Sequence, residues 1–284
     1  MRAPLAIAVI ICAGSLLSLP PFSSLAAEGY RLLELEGGKV KWGEQRLGTG
    51  ASISYAFADE PLAFAKARNC GELAPVEKLL GNNISRQTLV RETAAAFRVW
   101  ERVAGLSFHQ VSHTQDADII FGAQGKPEGR AFANVSYEPD ASEGIRTIKQ
   151  ALLCLNPEHK WKVGFDGDVD VYDLRYTLIH EIGHALGLDH PGRSGQVMAF
   201  RYTEAFDDLQ PGDLLGIQIL YGQASEAQLA NSRVTQISEM QEAGYQADHS
   251  NDNAVENVEE DKINSGMAFS DSASYTGKLG SGPE

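Results

Sequence analysis

His180-Glu181-Ile182-Gly183-His184-Ala185-Leu186-Gly187-Leu188-Asp189-His190 is the stretch from which both the fold and its chemistry can be read. On a helix, His180 and His184 lie one turn apart on the same face, so both rings can reach a single ion. Glu181 sits beside the first of them, where its carboxylate can address a water on that ion without binding the ion itself. Gly187 can take the positive φ that ends a helix, which lets the chain turn and bring in His190. Three imidazoles suit Zn²⁺ and leave one tetrahedral position open, the arrangement of a catalytic rather than a structural site. Met198 follows eight residues after His190, as in extended His-Glu-x-x-His patterns that close with a methionine turn beneath the metal. The competing reading is an amphipathic helix with incidental histidines and a methionine that merely fills the core. It accounts for neither Gly187 nor the third histidine.

Working outward, Asp173 can cap the ligand-bearing helix from about Leu174 to Leu186, and Asp213 a last helix through Tyr221. Upstream, Ser85 can cap a helix from about Arg86 to Ala104, with Gly105 as its stop. Leu89, Thr93, Ala96, Phe97, Trp100 and Val103 mark its buried face. Alternation at Ile53, Tyr55 and Phe57 predicts a strand. Leu106 to Val111, Ala117 to Phe121, Gly129 to Tyr137 and Ala151 to Leu155 complete a set of about five. Strands, then a ligand-bearing helix, then a final helix make an α+β domain with its site beneath a twisted sheet.

The two ends of the chain read differently. Arg2, an uncharged run from Ala3 to Leu19, and Ser24-Leu25-Ala26-Ala27 describe a signal peptide over residues 1–26. Cys12 leaves with it, and the run is too short and interrupted for a stable membrane span. Export, either to the periplasm or out of the cell, follows. From Gly222 to Glu284 there are eleven acids and three bases, a net of −8 within a whole-chain charge of −14. Residues 223–284 therefore read as an acidic, disordered tail, in which Asn231 to Met240 could form a short helix. With no basic stripe, nucleic acid is a poor partner. What remains is the size of one domain, expected to be a monomer: a short segment over 27–40 and a catalytic domain over 41–222.

Cys70 and Cys154 stay in the mature chain, and one disulfide is the simplest reading of an even pair in an exported protein. Two free thiols are an alternative. A third is that Cys70 blocks the metal, as in latent metalloprotease precursors, although it falls inside the domain rather than ahead of it. Asp166, Asp168, Asp170 and Asp173 precede the ligand helix and suit Ca²⁺ by their oxygens, or are a solvated acidic loop with capping duty. His109, His113, His159 and His249 read as ordinary polar residues.

The stretch from Lys41 to Gly222 resembles the matrixins, zinc endopeptidases of the metzincin group, in their compact bacterial form. The resemblance is carried by Lys41-Trp42, Ala96-Phe97-Arg98-Val99-Trp100, Ala117-Asp118-Ile119-Ile120-Phe121-Gly122, the histidine motif, Met198, and Gly216-Ile217-Gln218-Ile219-Leu220-Tyr221-Gly222. It implies a zincin-like domain with a mostly parallel five-stranded sheet, two long helices and a C-terminal helix. It also implies His180, His184 and His190 as ligands of one catalytic zinc, Glu181 as the base, and an edge strand at Ala131, Phe132, Ala133 and Asn134 that pairs with extended polypeptide. Residues Met198 to Phe206 would wall the pocket for the side chain after the cut. Animal matrixins hold a second, structural zinc through further histidines, but Phe121 to Phe165 contains only His159, so that ion is not expected. A propeptide is not expected either, which implies activity without an activating cut.

Three other readings remain. Serralysins share Pro191 after the third histidine, but carry a tyrosine where this chain has Phe200, two residues past Met198. A non-catalytic binding module on the same fold would use the acidic tail as its surface. A zinc amidase acting on cell-wall peptides would need no long edge strand.

Overall fold

The computed structural model describes residues 29–81, 84–192 and 195–230. The predicted signal peptide with Cys12, the short helix predicted over Asn231 to Met240, His249 and the rest of the tail past 230 lie outside the described residues.

Strand β1 spans Gly38–Lys41, β2 Ala51–Phe57, β3 Leu106–Gln110, β4 Ile119–Gln124, β5 Ala131–Ser142 and β6 Ile145–Leu155. Strands β6, β4, β2 and β3 are parallel neighbours in that order, and β1 runs parallel to the first residues of β6. The opposite edge of β6 carries β5, antiparallel from Ile145↔Ser142 to Leu155↔Ala131. Among the described residues β5 pairs with no other strand, so its outer edge is open. Ile119–Gln124 is buried throughout, as a central parallel strand covered on both faces must be. The sheet is thus the mostly parallel one the family resemblance implies, extended by β1 and several two- or three-residue strands.

Helix α1, Arg86–Glu101, starts where Ser85 Oγ accepts from the Thr88 amide at 3.0 Å. Its buried face includes Leu89, Thr93, Ala96, Phe97 and Trp100, joined by Glu92 and Val99. Glu92 escapes the apolar pattern because its charge is met by Arg175 Nε at 2.7 Å and Arg91 Nε at 3.1 Å. The helix stops short of Ala104, and Gly105 is not its stop. Gly105 is there because a Cβ would come within 2.6 Å of the Tyr221 carbonyl oxygen and 3.3 Å of Gly50 Cα. Helix α2 spans Leu174–Ala185, and Asp173 Oδ1 caps it by accepting from the Tyr176 amide at 2.7 Å. Helix α3 spans Pro211–Tyr221. Asp213 is not its N-cap; Gln210 is, with Pro211 at the first helical position, where a missing N–H costs nothing. Asp213 lies one turn in and accepts from the Gln210 amide at 2.9 Å.

Helices α1 and α2 cover one face of the sheet, and Ile53, Tyr55, Phe97, Trp100, Phe121, Leu153 and Ile179 build the main core there. The other face carries a smaller cluster of Ala56, Leu73, Ile120 and Leu152 beneath the segment that connects β2 to α1. Cys70 of that segment is joined to Cys154 of β6 by a disulfide, Cα–Cα 5.8 Å.

Contacts continue past both ends of the 41–222 span. Arg31–Leu32 pairs antiparallel with Leu188–Asp189, and the Leu33 amide donates to the Gly187 carbonyl at 2.8 Å. Gln223 bridges Ala104, and Gln228 Nε2 donates to the Leu106 carbonyl at 3.0 Å. Two-residue strands leave no periodic signal in a sequence, which is why these attachments are not legible there. No described helix is long and apolar enough to cross a membrane.

Candidate metal centre and its cleft

Helix α2 sets His180 and His184 one turn apart, and Gly187 then reverses the chain at φ +97°. Its amide closes on the His184 carbonyl at 3.0 Å. A Cβ at this glycine would come within 2.2 Å of the Val40 carbonyl oxygen, so the turn leaves room for nothing larger. The pairing of Leu188–Asp189 with Arg31–Leu32, reinforced by Arg31 Nε to Asp189 Oδ2 at 3.0 Å, fixes the return path. Asp189 Oδ1 accepts from the His190 amide at 2.8 Å. His190 Nε2 consequently lies 3.1 Å from His180 Nε2 and 3.0 Å from His184 Nε2.

These three residues are the one group of this kind among the described residues able to hold a metal ion. Tetrahedral zinc with nitrogens at about 2.0–2.1 Å needs nitrogen pairs roughly 3.3 Å apart, close to the spacing seen here. His180 Nδ1 donates to the Val197 carbonyl at 2.7 Å and His184 Nδ1 to the Leu188 carbonyl at 2.9 Å. Those bonds choose the tautomer and leave the Nε2 lone pairs facing one another, an arrangement that asks for a cation between them. Burial is the largest cause holding all three imidazoles below their ordinary pKa, His180 well below it and His184 at about 4. All three rings are therefore neutral at neutral pH, the form that binds metal. Beside them Glu181 is buried, and burial pushes its carboxyl up to about 7, opposed by the Arg130 charge and the Ala133 amide.

The floor of the site is Met198, buried under α2. A Cβ at Gly183 would lie 2.2 Å from Met198 Sδ, so that glycine is required by the close approach. Asp213 holds the turn from below: its carboxylate accepts from the Val197 amide at 3.0 Å and the Met198 amide at 3.1 Å. The turn is thus tied to α3 through its amides while the Val197 carbonyl orients His180. The carbonyls left over at the end of α2 are satisfied from elsewhere in the chain. Trp42 Nε1 donates to the Ala185 carbonyl, and the Tyr221 hydroxyl to that of Leu186, both at 2.8 Å.

His180, Glu181, His184 and His190 open into a cleft of about 1270 Å³. Ala131, Phe132, Ala133 and Asn134 of β5 line it, facing a rim at Phe64 to Asn69 that the disulfide tethers. Asn134 Oδ1 accepts from the Arg68 amide at 2.8 Å. Phe200, 71% exposed, sets its ring edge-on to His190 with centroids 5.4 Å apart.

The remaining sequence candidates lie apart from the centre. Lys162 Nζ pairs with Asp166, with the Asp168 carbonyl at 2.6 Å and with Glu204 Oε1 at 2.5 Å. Asp173 is committed to the Tyr176 amide of α2 and to the Gly164 amide. Of the acidic loop, the Asp166 carboxylate is thus paired with the chain's own ammonium and Asp173 is spent on amides, and the calcium reading gains no support from them. His159 bonds to the Gly129 carbonyl at 2.9 Å. Cys70 is committed to its partner and does not block the metal centre. Sequence reading did not find Trp42, Tyr221 or Arg130 as parts of the site, nor Asp213 as the clamp on the turn. They arrive from separate elements, with no spacing to betray them.

A family model described as Matrixin matches residues 77–222, just over half of the chain. Among relatives, human stromelysin-3 is 32% identical over 146 residues, which is 48% of this chain and 28% of that protein. Mouse matrix metalloproteinase-19 is 32% identical over 201 residues, 62% of this chain and 37% of that protein. A probable matrix metalloproteinase of invertebrate iridescent virus 3 is 28% identical over 154 residues, 50% of this chain and 40% of its own length. The chain thus spans well under half the length of these curated relatives. The family match covers α1, the sheet beyond β2, the histidine centre and α3, and on that match the chain belongs to the matrixin family.

Proposed function

We propose that the chain is an exported zinc endopeptidase that hydrolyses peptide bonds in extended polypeptide. His180, His184 and His190 are its metal ligands and Glu181 its general base. The observation that carries this reading is the convergence of three neutral Nε2 atoms beside a buried carboxylate, in a cleft bordered by an open sheet edge. When bound, zinc supplies Lewis acidity towards water and a peptide carbonyl.

The chain's own residues do the rest. Glu181 takes a proton from the attacking water and delivers it to the leaving amine, so no covalent acyl-enzyme is needed. The free edge of β5 offers main-chain N–H and C=O groups to an extended peptide, with Ala131 to Asn134 as the stretch nearest the centre. The segment from Met198 to Phe206 walls the pocket for the side chain after the cut. A disulfide is in keeping with an oxidising compartment, as the predicted signal peptide requires.

Cleavage of casein or a quenched peptide by the purified protein, abolished by a zinc chelator and restored by zinc, is the expected result. Glu181→Ala should keep one equivalent of zinc and lose about 10²–10⁴-fold in turnover. Near-normal turnover in that variant removes Glu181 from the mechanism.

A further inference from the structure

We propose that Arg130 is a specificity residue that recognises a carboxylate on the part of the substrate lying between the metal centre and the Met198–Phe206 wall. The proposal rests on the endopeptidase reading above and adds to it the chemical class of substrate. Arg130 stands immediately ahead of β5 and lines the same cleft as Glu181 and the three histidines. Its guanidinium carbon lies 5.2 Å from the centre of the Tyr172 ring and 5.4 Å from that of Tyr202. The two rings meet edge-on at 5.2 Å. Tyr202 is itself fixed, because its hydroxyl accepts from the Asp173 amide at 2.8 Å and donates to Glu204 Oε1 at 3.0 Å. The guanidinium is therefore held on an aromatic platform rather than swinging free.

What this cation lacks is a carboxylate in direct contact. Arg130 makes no ion pair with any carboxylate among the described residues, and its Nε is enclosed with no acceptor. Of the acids near it, Glu181 feels its charge but makes no ion pair with it and is the base of the reading above, Glu204 is used by Lys162 and Tyr202, and Asp173 by the start of α2. A half-buried charge without a partner is costly, and burying its surroundings further under a substrate makes it costlier. A carboxylate from the substrate removes that cost and matches the planar fork of the guanidinium in two parallel hydrogen bonds. Tyr202 belongs to the wall, so the recognised group lies on the side of the cut that the wall serves. The same chemistry is offered by an acidic side chain and by the free C-terminus of a short peptide.

The test uses the full zinc-loaded chain and peptides randomised over the three positions after the cut, made with a free and with an amidated C-terminus. At one of those positions Glu or Asp should raise kcat/KM over Gln or Asn by about tenfold to a hundredfold. If the recognised group is the chain terminus, the free acid should be favoured over the amide by the same factor. Arg130→Glu should invert the preference towards Lys or towards the amidated peptide, an inversion that a purely structural pillar does not produce. Should Arg130→Glu fail to fold, as judged by its Tm, Arg130→Gln should bring the acid-to-amide ratio close to one. Equal cleavage of acids and amides by the wild type, or an unchanged preference in the variants, overturns the role of Arg130 alone. Failure to cleave any peptide with zinc present overturns the endopeptidase reading, and this proposal with it.

Discussion

At His180 and His184 the same physics acts twice. Burial keeps each ring neutral, and a main-chain carbonyl on Nδ1 turns Nε2 towards the common centre. The identity of these residues is legible in the sequence because the spacing of His180, His184, Gly187 and His190 is itself a statement about helix geometry. Their orientation is not, since the Val197 and Leu188 carbonyls are set by later parts of the chain. We expect His184→Ala to leave two imidazoles, too few to retain a tightly held zinc, so metal analysis of the purified variant should show far less than one equivalent. A full equivalent surviving dialysis would count against the ligand assignment. Arg130 marks the opposite limit: one arginine among many in sequence, distinguished only by the two rings and the cleft around it.

Between α2 and α3 the decisive element is the turn at Val197 and Met198. Sequence reasoning places Met198 below the metal and gives Asp213 a capping role at α3. The structure moves Asp213 one turn inward and has its carboxylate serve three amides, those of Val197, Met198 and Gln210. The acidic residue near a helix start is visible locally, but its second duty depends on where the turn arrives in space. Asp213→Ala should leave buried amides without acceptors, at a cost of about 1–3 kcal/mol for each one that water does not reach. Urea melts should report that loss, and zinc affinity should fall with it because the Val197 carbonyl orients His180. Wild-type zinc affinity in a folded Asp213→Ala would separate the turn from the metal.

Across the whole molecule, the sheet is sealed on both faces, by α1 and α2 on one and by the Cys70 segment on the other. The disulfide spans 84 residues of chain, and closing a loop of that length restricts the unfolded state by about 4.5 kcal/mol. The double variant Cys70→Ala with Cys154→Ala should lose about 2–5 kcal/mol, and wild-type stability in that variant would deny the staple any role. Lys41 is a second global feature: fully buried, it donates to the carbonyls of Trp42 and Glu44 at 2.7 Å and to Thr49 Oγ1 at 3.2 Å. Burial lowers its pKa from 10.5 to about 8, partly offset by Glu44. Between those values the unfolded chain holds a proton that the folded chain has released, so stability rises with pH through the window and is lost as pH falls through about 8. Measured against Lys41→Met, the wild type should gain up to about 3 kcal/mol over that range. Parallel curves would show that Lys41 does not titrate there.

Sequence alone determined the histidine trio, the glutamate beside it, the helix that carries all of these but His190, and five of the six labelled strands. Each of those is encoded by spacing within one segment, through the helical period, strand alternation and a glycine turn. Tertiary structure decided which carbonyls orient the imidazoles, what closes the end of α2, how residues 29–35 brace the third histidine, and that Arg130 faces the cleft. Those contacts join residues far apart in the chain, and a one-dimensional pattern carries no record of which distant groups folding brings within a few ångströms.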